Sequence, residues 1–299
     1  MSLMRPVLNR WLRWAEKPHL AREQDPLALR KAFERKARFF FRAPFGTRFK
    51  RDKQGNVPVL WVNKTENGPL ILYLHGGAFV MGSPDTHKAM MGYLSRAAGL
   101  PICLPDYRLA PEHPFPAGLD DALACYGAVM DRPGGVVLGG DSAGGAMALA
   151  LLAEILRLGL PLPLGVFAFS PLTDMEFSGD SVLRNAEADV VLPVSRAQDT
   201  AMLYLSDHDP RDPRASPLYA DFTGAGPVWM TVGDTEFLLD DTRRMTSRLR
   251  AQGVAVTEVV VHDLPHVWPM FHNILPEGRA TLRAVAGWIN SLSRSEGDS

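Results

Sequence analysis

Cysteine is nearly missing from this chain: its 299 residues include two, Cys103 and Cys125. Both sit among apolar neighbours and are expected to be buried free thiols. A disulfide framework of the kind that staples small exported domains is therefore excluded. Long hydrophobic runs are missing as well; no stretch approaches the ~20 apolar residues that a membrane-spanning helix requires. The opening MSLMRPVLNRWLRW has neither the apolar core nor the small-residue cleavage site of a secretory leader. A cytoplasmic location is expected on these absences. There is no internal repeat and no low-complexity tract. What remains is an ordinary globular composition, 46% hydrophobic and 22% charged with a net charge of −1. It is long enough for one large α/β domain or two small ones.

That small net charge is unevenly spread. Residues 1–53 hold 15 Lys and Arg against 5 Asp and Glu, and the remainder holds 17 against 28. A basic arm of this kind can attract a membrane surface or nucleic acid. The reading adopted is plainer: a solvated helical face over an acidic body, with no nucleic-acid partner and membrane contact as a secondary option. Trp11, Trp14, Phe33, Phe39, Phe40 and Phe41 mark the arm as one that packs onto something.

From about residue 57 strands and helices alternate. Apolar runs at 57–62, 70–74, 101–104, 136–139, 165–169, 228–232 and 257–261 read as strands. The middle ones are continuously apolar, the pattern of parallel strands covered on both faces. Helical patterns fall at about 86–98, 117–130, 143–158, 240–252 and 277–292. The series predicts an α/β fold with an open, mostly parallel central sheet flanked by helices. Asn67-Gly68, between the first two strands, suggests a hairpin joining them. Two regions break the rhythm. Residues 1–50 precede any predicted strand and read as amphipathic helix punctuated by Pro18 and Pro26. Residues 175–222 hold one helical piece, near 196–205, in polar and proline-rich sequence, and an insertion that long is usually functional. The expectation is a single domain over 1–299. Residues 1–50 and 175–222 would form a mainly helical cap at the C-terminal edge of the sheet, where ligands bind in open α/β folds.

Gly140-Asp141-Ser142-Ala143-Gly144 fits G-x-S-x-G between an apolar strand and a long apolar helical stretch. That strand–turn–helix setting is what a nucleophile elbow requires, and the tightness of the turn accounts for glycine on both sides. Ser142 is the expected nucleophile. A serine hydroxyl is too weakly acidic to attack an ester unaided, so it needs a base within hydrogen-bond reach, and histidine suits. Of eight histidines, His266 is the strongest candidate, on a loop just past the last strand. His262 ends that strand and should point elsewhere; His272 lies further on with no strand to fix it. The spacing of His262 and His266 invites a zinc reading, but Pro265 prevents a helix there and no carboxylate completes H-E-x-x-H. No metal is expected.

The base needs a carboxylate to hold its tautomer. Asp234, Glu236 and Asp240 all follow the 228–232 strand, and spacing does not choose among them. The order serine, acid, histidine is that of α/β-hydrolases. His75-Gly76-Gly77 also follows a strand. The N–H groups of Gly76 and Gly77, with that of Ala143 at the helix start, are expected to form an oxyanion hole, each donor worth about 3 kcal/mol in the transition state. Asp141 is expected to brace local backbone, and Met81 serves equally as core or as pocket wall.

Together these residues resemble the hormone-sensitive-lipase-like branch of the α/β-hydrolases, the family IV bacterial esterases. His75-Gly-Gly-Ala-Phe79 is similar to its oxyanion motif, with Gly76 and Gly77 as donors. The stretch from Asp106 to Ala117, DYRLAPEHPFPA, matches a hallmark of the branch, GDSAGG its elbow, and Ser170-Pro-Leu-Thr-Asp174 a further segment. The resemblance spans roughly residues 57–292 and puts the catalytic histidine at His266. It also implies Glu236 as the acid: the family pattern D-P-L-x-D stands here as Glu236-Phe-Leu-Leu-Asp240, a departure that lengthens the acid by one methylene.

The resemblance implies a serine carboxylesterase acting on short- to medium-chain acyl esters without cofactor or metal. It also implies a possible homodimer through the last strand. Lactone, carbamate or N-acetyl amide hydrolysis by the same triad is the alternative. A ligand-binding receptor on this scaffold is a remote one, since such receptors lack the catalytic histidine that His266 supplies.

Overall fold

Short strands rich in Val, Leu, Ile and Phe assemble into one eight-stranded sheet in the structure, a computed structural model that describes residues 2–292. The strands are β1 (Phe49–Gln54), β2 (Val57–Val62), β3 (Leu70–Leu74), β4 (Ile102–Pro105), β5 (Val136–Asp141), β6 (Gly165–Phe169), β7 (Val228–Gly233) and β8 (Val256–Val261). Their spatial order is β1-β2-β4-β3-β5-β6-β7-β8. β1, β2 and β4 pair antiparallel; from β4 onward every pairing is parallel. β3 shows why the middle strands are apolar throughout. Leu70, Leu72 and Leu74 pack into the core on one face, while Ile71 and Tyr73 pack into the core on the other, as the two-residue period of a strand dictates.

Helices fill both faces. α4 (Pro84–Ala98) and α10 (Pro276–Leu292) cover one, burying Met90, Met91, Leu94, Leu282, Val285 and Ile289 against it. α5 (Ala117–Gly127), α6 (Ser142–Leu158) and α9 (Leu239–Ala251) cover the other. α6 is buried along nearly its whole length, which accounts for its lack of a polar stripe. Burial of each large side chain contributes about 1.5–3 kcal/mol before the entropy of ordering it. Among the described residues no helix is long and apolar enough to cross a membrane.

Three expectations are corrected. The hairpin proposed at Asn67-Gly68 does not form: β2 and β3 are separated by β4, and residues 63–69 carry the chain past it. The hairpin lies one turn earlier, joining β1 to β2 through Gly55 and Asn56, whose φ values of 54° and 66° suit the mirror-image turn that twisted strands prefer. β1 itself, FKRDKQ, went unrecognised because it is a polar edge strand with no buried face. Lys and Arg there are a device against edge-to-edge pairing. The basic arm therefore ends in a strand, and residues 49–50 belong to the sheet. At the opposite edge, β8 pairs with β7 alone.

The arm begins with α1 (Met4–Trp11), α2 (Lys17–Arg22) and α3 (Pro26–Phe40). A π-helical turn at Leu12–Glu16 joins the first two. It sits just ahead of Pro18, which has no N–H to give to the preceding turn. Asp25 caps α3, accepting from the Leu27 N–H at 2.9 Å. Between β6 and β7 come α7 (Ser181–Arg184) and α8 (Ala197–Leu205). The arm is tied to this segment and to the body by its own cations. Arg13 donates to the Glu187 and Ala188 carbonyls, Lys17 to those of Ala186 and Asp189, and Arg30 pairs with Glu112. Part of the arm's positive charge is thus matched within the fold.

Candidate active site

The parallel strands end at one edge, and the loops that leave it carry the predicted residues. β5 runs directly into α6 through Asp141 and Ser142. Ser142 has φ 52°, a conformation that L-residues seldom adopt and that stores strain at a functional turn. The turn closes only because glycine flanks it. A Cβ on Gly140 would stand 2.2 Å from the Gly144 carbonyl oxygen, and one on Gly144 would stand 2.1 Å from that of Leu74. The hydroxyl is thereby held over the first turn of α6.

The loop after β8 places His266 beside Ser142. Its Nε2 lies 2.9 Å from Ser142 Oγ, and its Nδ1 lies 2.6 Å from Glu236 Oε2. Glu236 leaves the end of β7, and its other oxygen, Oε1, accepts from Ser170 Oγ at 2.8 Å and from the Gly233 N–H at 2.6 Å. All three residues are buried. Burial alone would lower the proton affinity of His266. The charge and hydrogen bond of Glu236, with Asp189 and Asp141 behind, outweigh it and raise the pKa above the ordinary histidine value.

The other candidates serve elsewhere. Asp234 accepts from the Asp263 N–H and lies 2.7 Å from His262 Nδ1, which turns His262 away from Ser142. Asp240 binds the Ser181 N–H and Arg184. His272 lies near the Arg42 carbonyl, on the arm. Among the described residues no cluster of three or more metal-ligating side chains occurs.

One expected donor is reassigned. The Gly76 N–H is already given to Asp141 Oδ1, at 3.0 Å, so it is not available to a ligand. The next two amides, of Gly77 and Ala78, have no protein acceptor among the described residues. Nor has the Ala143 N–H, which opens α6 with no capping side chain in front of it. All of these backbone positions but Ala143 line the cavity at Ser142. Asp141 also accepts from Tyr73 at 2.7 Å and lies 3.3 Å from His87 Nε2. It braces the glycine loop. Burial pushes His75 down to about 3, so its ring is neutral, and its Nδ1 lies 2.9 Å from the Gly76 carbonyl. Tyr107, from the DYRLAPEHPFPA stretch, stacks on that ring and donates to the His75 carbonyl at 2.6 Å.

The geometry is matched by likeness to known proteins. A family model described as the alpha/beta hydrolase fold matches residues 71–270. The crystal structure of an esterase from the bacterial hormone-sensitive lipase family superposes with a TM-score of 0.90 at 34% identity, over 98% of this chain and 99% of that one. The chain belongs to the hormone-sensitive-lipase-like α/β-hydrolases. Within that family it is similar to an acetyl-hydrolase of Streptomyces hygroscopicus, 36% identical over 80% of this chain and 81% of the relative. It is also similar to an esterase of Acinetobacter venetianus, 34% identical over 75% of each.

Sequence reasoning missed Ala78, Ser170 and Asp189 in this hydrolase. Ser170 had a signal, since it opens the SPLTD segment, but nothing in one sequence showed that segment reaching Glu236. Asp189 is buried beneath the acid loop and accepts from the N–H groups of Val191, Leu192 and Phe237. Burial first, then the charge of Glu236, raises its pKa. It lies in the irregular insertion, where no periodicity singles out a residue.

Proposed function

We propose that the protein is a serine carboxylesterase in which Ser142, His266 and Glu236 form the catalytic triad. The observation that carries this reading is the unbroken hydrogen-bonded line from Glu236 through His266 to Ser142. His266, neutral and with its proton on Nδ1 towards Glu236, takes the Ser142 proton as Oγ attacks the ester carbonyl. The oxygen of the tetrahedral intermediate takes up negative charge at the Gly77, Ala78 and Ala143 amides, preorganised donors of which the last lies at the N-terminus of α6. His266 then returns the proton to the leaving alcohol. Water, activated the same way, attacks the acyl-enzyme and releases the acid.

In this reading α1 to α3 and the 175–222 insertion act as the cap. Support comes from the walls they supply: Leu8, Leu12, Leu29, Phe33 and Leu192 line the cavity that ends at Ser142. That enclosure excludes bulk water, and acyl groups of short to medium length are the expected substrates. The relative named an acetyl-hydrolase favours acetyl as the group that this triad removes. Incubation with a serine-directed phosphonate tests the scheme. Covalent labelling of Ser142, found by peptide mass, with parallel loss of esterase activity is expected; an active enzyme after full exposure would sink it.

A further inference from the structure

Ser142 stands where two cavities meet, of about 400 Å³ and about 100 Å³. Leu20, Leu29, Ala78, Met81 and Leu192 line both. His266 lines only the larger, followed along the chain by Val267, Met270, Phe271 and Ile274. The smaller is walled by Leu172, Phe177, Ala197, Thr200, Phe237 and Leu238, from the 170–174 segment, the insertion and the acid loop.

This asymmetry, combined with the direction of proton transfer, sorts the two arms of an ester. The leaving oxygen must come within hydrogen-bond reach of His266 Nε2 to be protonated. Its alkyl group therefore lies on the His266 side, in the larger cavity, and the acyl group is left with the smaller one. We infer, resting on the esterase reading with its short- to medium-chain acyl group, that the preferred esters carry a large apolar alcohol.

Size and polarity decide the class. A cavity of roughly 150 Å³ lined by apolar side chains admits a benzene ring, so a space of about 100 Å³ holds an acyl chain of only a few carbons. A space of about 400 Å³ falls in the roughly 300–1,000 Å³ range of sites that enclose whole drug-sized molecules. Its walls are Leu, Phe, Met and Trp side chains, and the ion pair of Glu16 with Lys36, along with His19, is the polar feature on the arm side. An apolar alcohol leaves water on entering such a space; a sugar or a charged alcohol would lose its hydration without enough partners.

Two ester series on the full chain test this, with hydrolysis followed by pH-stat below the solubility limit of each ester. One series holds the acid constant as acetate and lengthens the primary alcohol from ethyl to dodecyl. Every member passes through the same acetyl-enzyme, so differences in kcat/KM report acylation alone. The other holds ethanol constant and lengthens the acid from acetate to dodecanoate. Each methylene that the larger cavity buries should raise kcat/KM by up to about fourfold, so hexyl acetate should exceed ethyl acetate at least tenfold. In the acid series kcat/KM should fall at least tenfold beyond about hexanoate. Ala32→Trp, which fills the larger cavity only, should lower the hexyl-to-ethyl ratio among acetates and leave the acid-length profile in place. Phe177→Ala should move the acid optimum to longer chains. A flat alcohol series, or an acid series that climbs to dodecanoate, overturns the assignment while leaving the esterase reading intact. No hydrolysis of any member by the folded protein overturns both.

Discussion

Glu236→Gln exchanges one oxygen for nitrogen, and the two ends of that carboxylate have different partners. Oε1 accepts two hydrogen bonds, from Ser170 Oγ and the Gly233 N–H. A glutamine must keep its oxygen there, which turns its NH₂ towards His266 Nδ1. An imidazole facing a donor at Nδ1 carries its proton on Nε2 and donates to Ser142 instead of accepting from it. The base is then in the wrong tautomer. Flipping the amide restores the tautomer but sets NH₂ against the Gly233 N–H across 2.6 Å. A buried donor so orphaned costs about 1–3 kcal/mol, or roughly 5- to 150-fold. Loss of the charge that stabilises the imidazolium adds to this, and the equivalent change in a serine protease lowers kcat by about 10⁴. The expected fall in kcat/KM is thus about 10³- to 10⁴-fold, near 4–5.5 kcal/mol at 1.36 kcal/mol per decade. The pH profile supplies a second readout. In the wild type, kcat/KM should fall on the acid side as His266 takes up a proton, with a midpoint above the ordinary value of 6.5. Without the Glu236 charge, burial prevails and the acid limb should move to lower pH. Both are read from p-nitrophenyl butyrate hydrolysis between pH 5 and 9. A loss under tenfold, or an acid limb that stays in place, refutes the reasoning, and a larger loss in Asp240→Asn would reassign the acid.

The packing sets three further outcomes. Gly144→Ala drives a methyl against the Leu74 and His75 carbonyl oxygens, at 2.1 and 2.4 Å. It should destabilise the chain by about 3 kcal/mol or more, and an unchanged urea midpoint would show that the elbow is looser than described. Asp189→Ala removes the acceptor of three amides, the buried one of Phe237 and the part-buried ones of Val191 and Leu192. A loss of about 3 kcal/mol in urea unfolding, with reduced turnover as the Glu236 loop loosens, is expected, and wild-type stability in the variant would contradict it. Burial pushes Asp241 up from 3.8 to about 7, so between those values the folded chain keeps a proton that the unfolded chain has released. The stability it contributes is complete at low pH and is lost as pH rises towards 7. Asp241→Asn does not titrate, so the difference in unfolding free energy between variant and wild type should change across pH 4–7. A constant difference would show that Asp241 does not carry this dependence.

The central strands were legible because burial on both faces forces apolar runs, as at 70–74 and 165–169. α6 was legible from its length and the elbow before it. β1 was not, because an edge strand that buries nothing carries no apolar signal. The hairpin was misplaced because Asn67-Gly68 specifies a local turn, whereas β4, farther along the chain, inserts between the strands on either side of it. The G-x-S-x-G elbow pointed to Ser142, and the loop just past the last strand pointed to His266. The choice of Glu236 needed family likeness, since three acids follow one strand and only the fold shows Asp234 and Asp240 engaged elsewhere. Gly76 illustrates the limit of motif reading: a glycine pair marks where backbone can approach a ligand, but the bond from Gly76 to Asp141 spans 65 residues and leaves Gly77 and Ala78 to face the cavity.

Turnover of p-nitrophenyl butyrate by Ser142→Ala, beside wild type and after circular dichroism has shown both folded, bears most directly on the triad. Removing the nucleophile is expected to lower kcat by about 10⁶-fold, to the residual rate that binding and oxyanion stabilisation alone sustain. Activity within tenfold of wild type would place the chemistry on another residue and contradict the account.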